Sequence, residues 1–192
     1  MKKMVILVLC AAFAAPAFSA EPTTALLIID IQDFYFPGGK SPLVNPEAAS
    51  ANAARVLAAF RAAGNPVVHV RHEFEPGGSI HASVAPVEGE KVCTKTEVSC
   101  FNGTKVLAHL KETGVEKLVI VGMQTHMCLE AATRAAHDLG FECVVVGDAC
   151  ATRDLKYGDR TVPAADVHAS TLATLTRTYA KVVDTETFLS GK

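Results

Sequence analysis

Hydrophobic and polar positions along this chain alternate between two periods. Residues 25–29, ALLII, form an unbroken apolar run ending at Asp30, the pattern of a strand covered on both faces. Residues 33–39, DFYFPGG, read as a loop; Asn45-Pro46 then opens an Ala-rich helix that runs to about Ala63 and stops at Gly64. Residues 66–70 predict a second strand. The polar connection 72–90 carries Pro76, Gly77-Gly78 and Pro86, and connections of that length inside a compact domain are more often functional than idle. Residues 92–95 predict a short third strand, Gly103-Thr104 caps a helix to about Thr113, and residues 118–121 predict a fourth strand. After Gly122 the period changes: Cys128, Ala131, Ala132, Ala135 and Ala136 recur at helical spacing, giving a helix to Gly140. Residues 142–146 predict a fifth strand closed by Asp148, residues 163–179 a last helix, and residues 181–183 a last short strand. Strands alternating with helices predict an α/β fold: three layers, Rossmann-like, with a mainly parallel sheet of about six strands and helices on both faces.

The first twenty residues stand outside this alternation. Met1-Lys2-Lys3 is basic, residues 4–18 are apolar and uncharged, and Ala17, Ser19 and Ala20 offer small residues for cleavage, the layout of a secretory signal. The run is too short for a comfortable membrane span, and no second run follows. The chain is therefore expected to divide into a signal peptide, residues 1–20, and one domain, residues 21–192, exported to the bacterial periplasm.

Composition narrows the function. The net charge is −2 with acids and bases interspersed, which argues against nucleic acid or a membrane surface as partner. Trp is absent and aromatics are 6%, against a ring-lined platform for carbohydrate or peptide. Five cysteines follow the leader: Cys93, Cys100, Cys128, Cys143 and Cys150. In an exported protein an odd count leaves one thiol free and allows up to two disulfides among the rest. No CxxC pair gives the spacing of a zinc ribbon or a thioredoxin site.

In parallel sheets, ligands bind outside the carboxyl ends of the strands, near where strand order reverses. That rule selects Asp30, Lys95, Cys128 and Asp148, each following or closing a predicted strand. Cys128 falls in or near the first turn of a helix. Free N–H groups and the helix dipole there favour the thiolate and lower the thiol pKa from about 8.5. Each residue also has a plainer reading: Asp30 as a strand-end cap, Lys95 as a solvated cation, Cys128 as a packed small hydrophobe, Asp148 as a cap of the loop CATRD.

Taken together, LLIIDIQDFYFPGG, KTEVSCFNGT, VGMQTHMCLEAATRAAHDLGF and VVVGDACATRD resemble, in order and over nearly the whole predicted domain, the isochorismatase-like cysteine hydrolase superfamily. That superfamily includes nicotinamidases, N-carbamoyl amide hydrolases and streptothricin hydrolase, and the tail RTVPAADVHASTLATL is most similar to the streptothricin-hydrolase-like branch. The resemblance implies a triad of Asp30, Lys95 and Cys128 and hydrolysis of a small amide or other non-peptide C–N bond through a thioester on Cys128. It implies a cis peptide at Met123-Gln124, with the N–H groups of Gln124 and Cys128 facing an oxyanion. Gln32, Tyr35 and Phe101 complete the expected substrate-binding set: Gln32 by ordering the first loop, Tyr35 as a pocket wall, Phe101 as the member most open to a packing role instead. The implied partners are a small-molecule substrate and further copies of the chain in a homo-oligomer, with no nucleic acid and, once the signal is removed, no membrane.

Departures from the family pattern matter too. Gln32 is followed by Asp33-Phe34, where many relatives read Asn-Asp, and Cys100 stands where a small residue is common. The Asp-x-His metal pair of nicotinamidases is absent, and His72 and His81 show no spacing that would replace it, so no metal or other cofactor is expected. Isochorismatases proper cleave a vinyl ether and lack the cysteine, so its presence here favours amide hydrolysis. Two rivals remain in view: a vinyl-ether hydrolase that uses Asp30 without the thiol, and a non-enzymatic binding or thiol-redox protein. The last would be marked by a disulfide from Cys128 to Cys100 or Cys150.

Overall fold

A computed structural model describes residues 23–191. The predicted signal peptide lies outside the described residues. Eight strands appear in chain order: β1 (Thr23–Ile29), β2 (Val67–His72), β3 (Lys91–Lys95), β4 (Val115–Met123), β5 (Glu142–Ala151), β6 (Leu155–Tyr157), β7 (Arg160–Val162) and β8 (Lys181–Val183). Six of them form one parallel sheet in the order β3-β2-β1-β4-β5-β8, and β6 and β7 pair as a separate antiparallel hairpin. Five helices connect them: α1 (Pro46–Ala62), α2 (Val106–Glu112), α3 (Glu130–Asp138), α4 (Ala164–Leu175) and α5 (Thr185–Leu189).

The apolar run in β1 explains the layering. Successive side chains point to opposite faces. Ala25, Leu27 and Ile29 therefore pack in a core with Val106 and Leu110 of α2, Leu129, Ala132 and Ala136 at α3, and Leu175 of α4. Leu26 and Ile28 face the other way, onto Ala49, Ala53, Val56, Leu57 and Phe60 of α1, with Phe188 of α5 against the same layer. Both cores are close to fully buried, and each such aliphatic side chain contributes about 1.5–3 kcal/mol.

The chain runs outward from β1 through β2 to β3, then returns to lay β4 on the other side of β1 and continues to β5 and β8. The strand order thus reverses between β1 and β4. There the two backbones come unusually close: Gly122 has φ +133°, and a Cβ at that position would lie 2.0 Å from the Ile29 carbonyl oxygen. Only glycine fits this contact.

Several expectations need correction. The last helix ends at Leu175 rather than running to residue 179, because the chain turns through Arg177 at φ 73° and both Tyr179 and Ala180 donate back to the Leu175 carbonyl. The β6–β7 hairpin and α5 were not foreseen. Asp148 closes no strand, since β5 continues to Ala151 with its register against β4 shifted between Ile120 and Gly122. Its carboxylate instead accepts from Thr185 N at 2.8 Å, Thr185 Oγ1 at 2.7 Å and Asn52 Nδ2 at 3.1 Å, tying α5 and α1 to the sheet. The disulfides allowed by the cysteine count do not form: Cys93, Cys100, Cys128, Cys143 and Cys150 are all free and buried.

Candidate active site

Asp30 is the first residue beyond β1 and is fully buried. Its φ of 48° lies in the left-handed region, which Asp tolerates better than most residues yet which still costs about 1–3 kcal/mol. Lys95 is the last residue of β3, and its side chain is 0% exposed. Neighbouring strands lie about 4.8 Å apart, so the lysine stem must cross the end of β2 to reach β1. Its Nζ ends 2.7 Å from Asp30 Oδ2 and 3.3 Å from Cys128 Sγ. Cys128 comes from the far side of the switch point, in the π-helical turn Thr125–Leu129 that joins β4 to α3. The three residues expected to form the triad are therefore brought together, each from a different strand end.

The expected cis peptide is present between Met123 and Gln124. The Gln124 carbonyl accepts from Met127 N at 3.0 Å and from Leu129 N at 3.3 Å, and the N–H of Cys128 between them takes no part in that pair. The Gln124 side chain is buried; its Nε2 donates to the Tyr35 hydroxyl at 3.2 Å, and its Oε1 has no partner among the described residues.

Electrostatics in this cluster contradict one expectation. Burial first, and then the Asp30 charge, push the Cys128 thiol up to about 12, with Lys95 working in the opposite direction. The helix-end location was expected to lower it. The reason for the difference is desolvation of the thiolate together with a like charge beside it, both stronger than a turn's partial charge. Burial likewise raises the Asp30 carboxyl, opposed by Lys95. Burial disfavours the Lys95 ammonium, but Asp30 outweighs it and the lysine lies above its ordinary value. The resulting site has a fixed cation, a carboxylate of raised basicity and a protonated thiol.

The other predicted site residues divide. The Gln32 side chain is wholly committed to the connection after β2: Nε2 donates to the His72 carbonyl at 2.9 Å and to Gly78 O at 2.7 Å, while Oε1 accepts from His72 N at 2.7 Å. It has no hydrogen bond left for a ligand, so its part is to order the loop. Tyr35 is buried beside Gln124, and its ionisation feels both Asp30 and Cys128, which places its hydroxyl near the cluster. Phe101 packs on the core of the α2–α4 face, its ring 6.3 Å from that of Phe141, and is a packing residue.

One contact escaped the sequence reading. His72, the last residue of β2, places Nδ1 3.1 Å from Lys95 Nζ. The sequence offers His72 only as a metal-ligand candidate with His81, whose ring instead stacks on Phe36 at 3.6 Å. The usable signal was topological: β2 separates the strands carrying Asp30 and Lys95, so its end residue must meet the lysine stem. Across the sheet, Thr125 Oγ1 lies 3.0 Å from His168 Nδ1 and His126 Nδ1 lies 2.6 Å from Thr152 Oγ1. A cavity of about 220 Å³ opens beside them, lined by Asn45, Ala49, Cys150, Thr152 and His168, and includes no member of the triad.

Known proteins of similar sequence and structure cover most of the chain. An uncharacterised isochorismatase family protein of Bacillus subtilis, YddQ, is 47% identical over 178 residues, covering 87% of this chain and 99% of that protein. A streptothricin hydrolase of Streptomyces noursei is 33% identical over 168 residues, covering 81% of this chain and 66% of its own length. Among solved structures, an isochorismatase-hydrolase-type protein of Oleispira antarctica superposes with a TM-score of 0.86 at 48% identity, covering 91% of this chain and all of that one. The family model described as Isochorismatase domain matches residues 24–187.

Proposed function

Because this chain belongs to the isochorismatase family, we propose that it is an exported hydrolase of a small-molecule amide or other non-peptide C–N bond, acting through a thioester on Cys128. The observation that carries this reading is the buried contact set of Asp30, Lys95 and Cys128, at 2.7 Å and 3.3 Å from the lysine nitrogen. The resemblance to streptothricin hydrolase supports a C–N substrate.

The chemistry follows from the charges. Burial and the Asp30 charge push the thiol well above its ordinary value, so at pH 7 it is held as S–H. The nucleophile must then be made as it attacks, and Asp30 is the base beside it. As the Cys128 sulfur bonds to the substrate carbonyl carbon, its proton passes to Asp30, and the carbonyl becomes an oxyanion facing the N–H groups of Gln124 and Cys128. Collapse breaks the C–N bond, and Asp30 returns the proton to the departing nitrogen. A water then gives its proton to Asp30 and attacks the thioester, and the released thiolate recovers that proton. Lys95 stays charged throughout and holds the carboxylate in place.

The partnerless side-chain oxygen of Gln124, Oε1, buried beside Tyr35, offers an acceptor for a substrate N–H and so favours a nitrogen leaving group over a vinyl ether. Export rests on the character of residues 1–20 alone. A homo-oligomer belongs to the same reading and is supported by exposed apolar residues, Val92 on the outer strand β3 and Tyr157 on the hairpin; sedimentation velocity reports it.

A panel of primary amides, N-carbamoyl compounds and lactams, read by product release, tests the function. Wild-type protein is expected to turn over at least one class, and Cys128→Ser to lose about 10³-fold or more of kcat. Vinyl-ether cleavage that survives in Cys128→Ser would replace this reading with its rival.

A further inference from the structure

In the triad the Lys95 ammonium pairs with Asp30 Oδ2 at 2.7 Å and donates to Cys128 Sγ at 3.3 Å. An ammonium carries three donors and no acceptor, and a buried one needs partners for them. A further partner is His72 Nδ1 at 3.1 Å. His72 is no accidental neighbour. It is register-paired with Lys95 across β2 and β3, and its own main chain is clasped at both ends by the fully buried Gln32, which takes its N–H at 2.7 Å and donates to its carbonyl at 2.9 Å. Gln32 Nε2 also donates to Gly78 O at 2.7 Å, so the connection after β2 is fixed to the strand end that follows Asp30.

This arrangement constrains the imidazole. For Nδ1 to accept from a lysine, His72 must be neutral with its proton on Nε2. Protonation of Nδ1 removes the lone pair and sets a second cation beside the first. The ring contacts Lys95 on β3, and Lys95 in turn reaches Asp30 beyond β1 and Cys128 beyond β4.

We propose that His72, held by Gln32, is a positioning residue of this site: its Nδ1 lone pair fixes the Lys95 ammonium between Asp30 and Cys128. The inference rests on the hydrolase reading for its kinetic consequence, though the contact itself does not depend on any substrate.

Two substitutions separate positioning from simple packing. Asn carries a neutral oxygen at the same distance from Cβ as Nδ1 and does not titrate, whereas Leu fills a similar volume with no acceptor. His72→Asn is expected to lower kcat/KM only about threefold, whereas His72→Leu should lose about 10- to 100-fold, the loss falling on kcat rather than on KM. Thermal melting of both variants checks that each is folded. A folded His72→Asn as impaired as His72→Leu, or full activity in a folded His72→Leu, overturns the proposal.

The second readout needs no turnover. Long-range ¹⁵N NMR of the ring should show His72 as the Nε2–H tautomer at neutral pH, with its Nδ1 signal shifting in Lys95→Met. A neutral Nδ1–H tautomer overturns the proposal as well. If the wild type hydrolyses no amide while the Nε2–H tautomer and its Lys95 dependence are found, the hydrolase reading fails and the His72 contact stands.

Discussion

Two polar clusters in this protein bury opposite charges, and they are built for opposite purposes. In one, Lys95 meets Asp30 and Cys128 at the carboxyl ends of the sheet. In the other, Glu90 on the connection into β3 accepts from Arg61 of α1, with Nε to Oε1 at 2.7 Å and Nη2 to Oε2 at 2.8 Å. Val87 N and His69 Nε2 complete the second cluster at 3.0 Å and 2.8 Å. There the hydrogen bonds from Arg61 hold Glu90 down to about 2, and burial keeps His69 below its ordinary value and so neutral. Every group sits in its most stable charge state. At the triad the directions reverse: burial raises both the Asp30 carboxyl and the Cys128 thiol. One cluster is a strut in which donors outnumber the charge they satisfy. The other leaves a strong base beside an unionised nucleophile, an arrangement that costs stability and supplies chemistry.

The comparison can be broken most forcefully at Asp30. Asp30→Asn should reduce kcat by about 10³-fold or more, because it removes the carboxylate that takes the thiol proton. Steady-state rates on any substrate of the wild type measure this, and activity within tenfold of wild type would remove Asp30 from the mechanism.

Glu90→Gln probes the strut. It is expected to leave kcat/KM per folded molecule within about twofold of wild type while lowering stability by about 2 kcal/mol, the scale of a hydrogen bond to a charged group. Urea unfolding reports the second number, and an activity loss without a stability loss would show that the clusters are not separate.

The smallest effect is a pH dependence. A carboxyl held down to about 2 from an ordinary 4.5 contributes stability that is complete above about pH 4.5 and is lost as pH falls towards 2. Denaturation midpoints measured across that window should fall in the wild type and fall less steeply in Glu90→Gln.

Much of this was legible in the sequence, for identifiable reasons. Asp30, Lys95 and Cys128 each end or follow an apolar run, and in a parallel sheet those ends converge at the point where strand order reverses. The runs at β1, β4 and β5 are long, apolar and bounded, so their existence was clear even where their ends shifted by several residues. The β6–β7 hairpin and α5 were missed because three- and five-residue elements carry too little periodicity. Asp148 was misplaced because its partners, Asn52 and Thr185, lie 96 and 37 residues away. The thiol was misjudged for a related reason. A helix end is visible in sequence, but the depth of burial and the distance to Asp30 are properties of the fold alone. His72 was seen without its role, since that role depends on which strand lies between two others.

The central claim is that Cys128 is a protonated thiol activated by Asp30 and not a standing thiolate. Its most direct test is the rate of Cys128 alkylation by iodoacetamide between pH 6 and 10, followed by peptide mass spectrometry in wild type and in Asp30→Asn. Removing the carboxylate removes a like charge and leaves Lys95 in place, so the thiol pKa must fall. The account predicts wild-type alkylation that is slow at neutral pH and still rising at pH 10, with faster neutral-pH alkylation in Asp30→Asn. Rapid, pH-independent alkylation of wild-type Cys128 that slows in Asp30→Asn, or a Cys128 inert in both proteins, would contradict it.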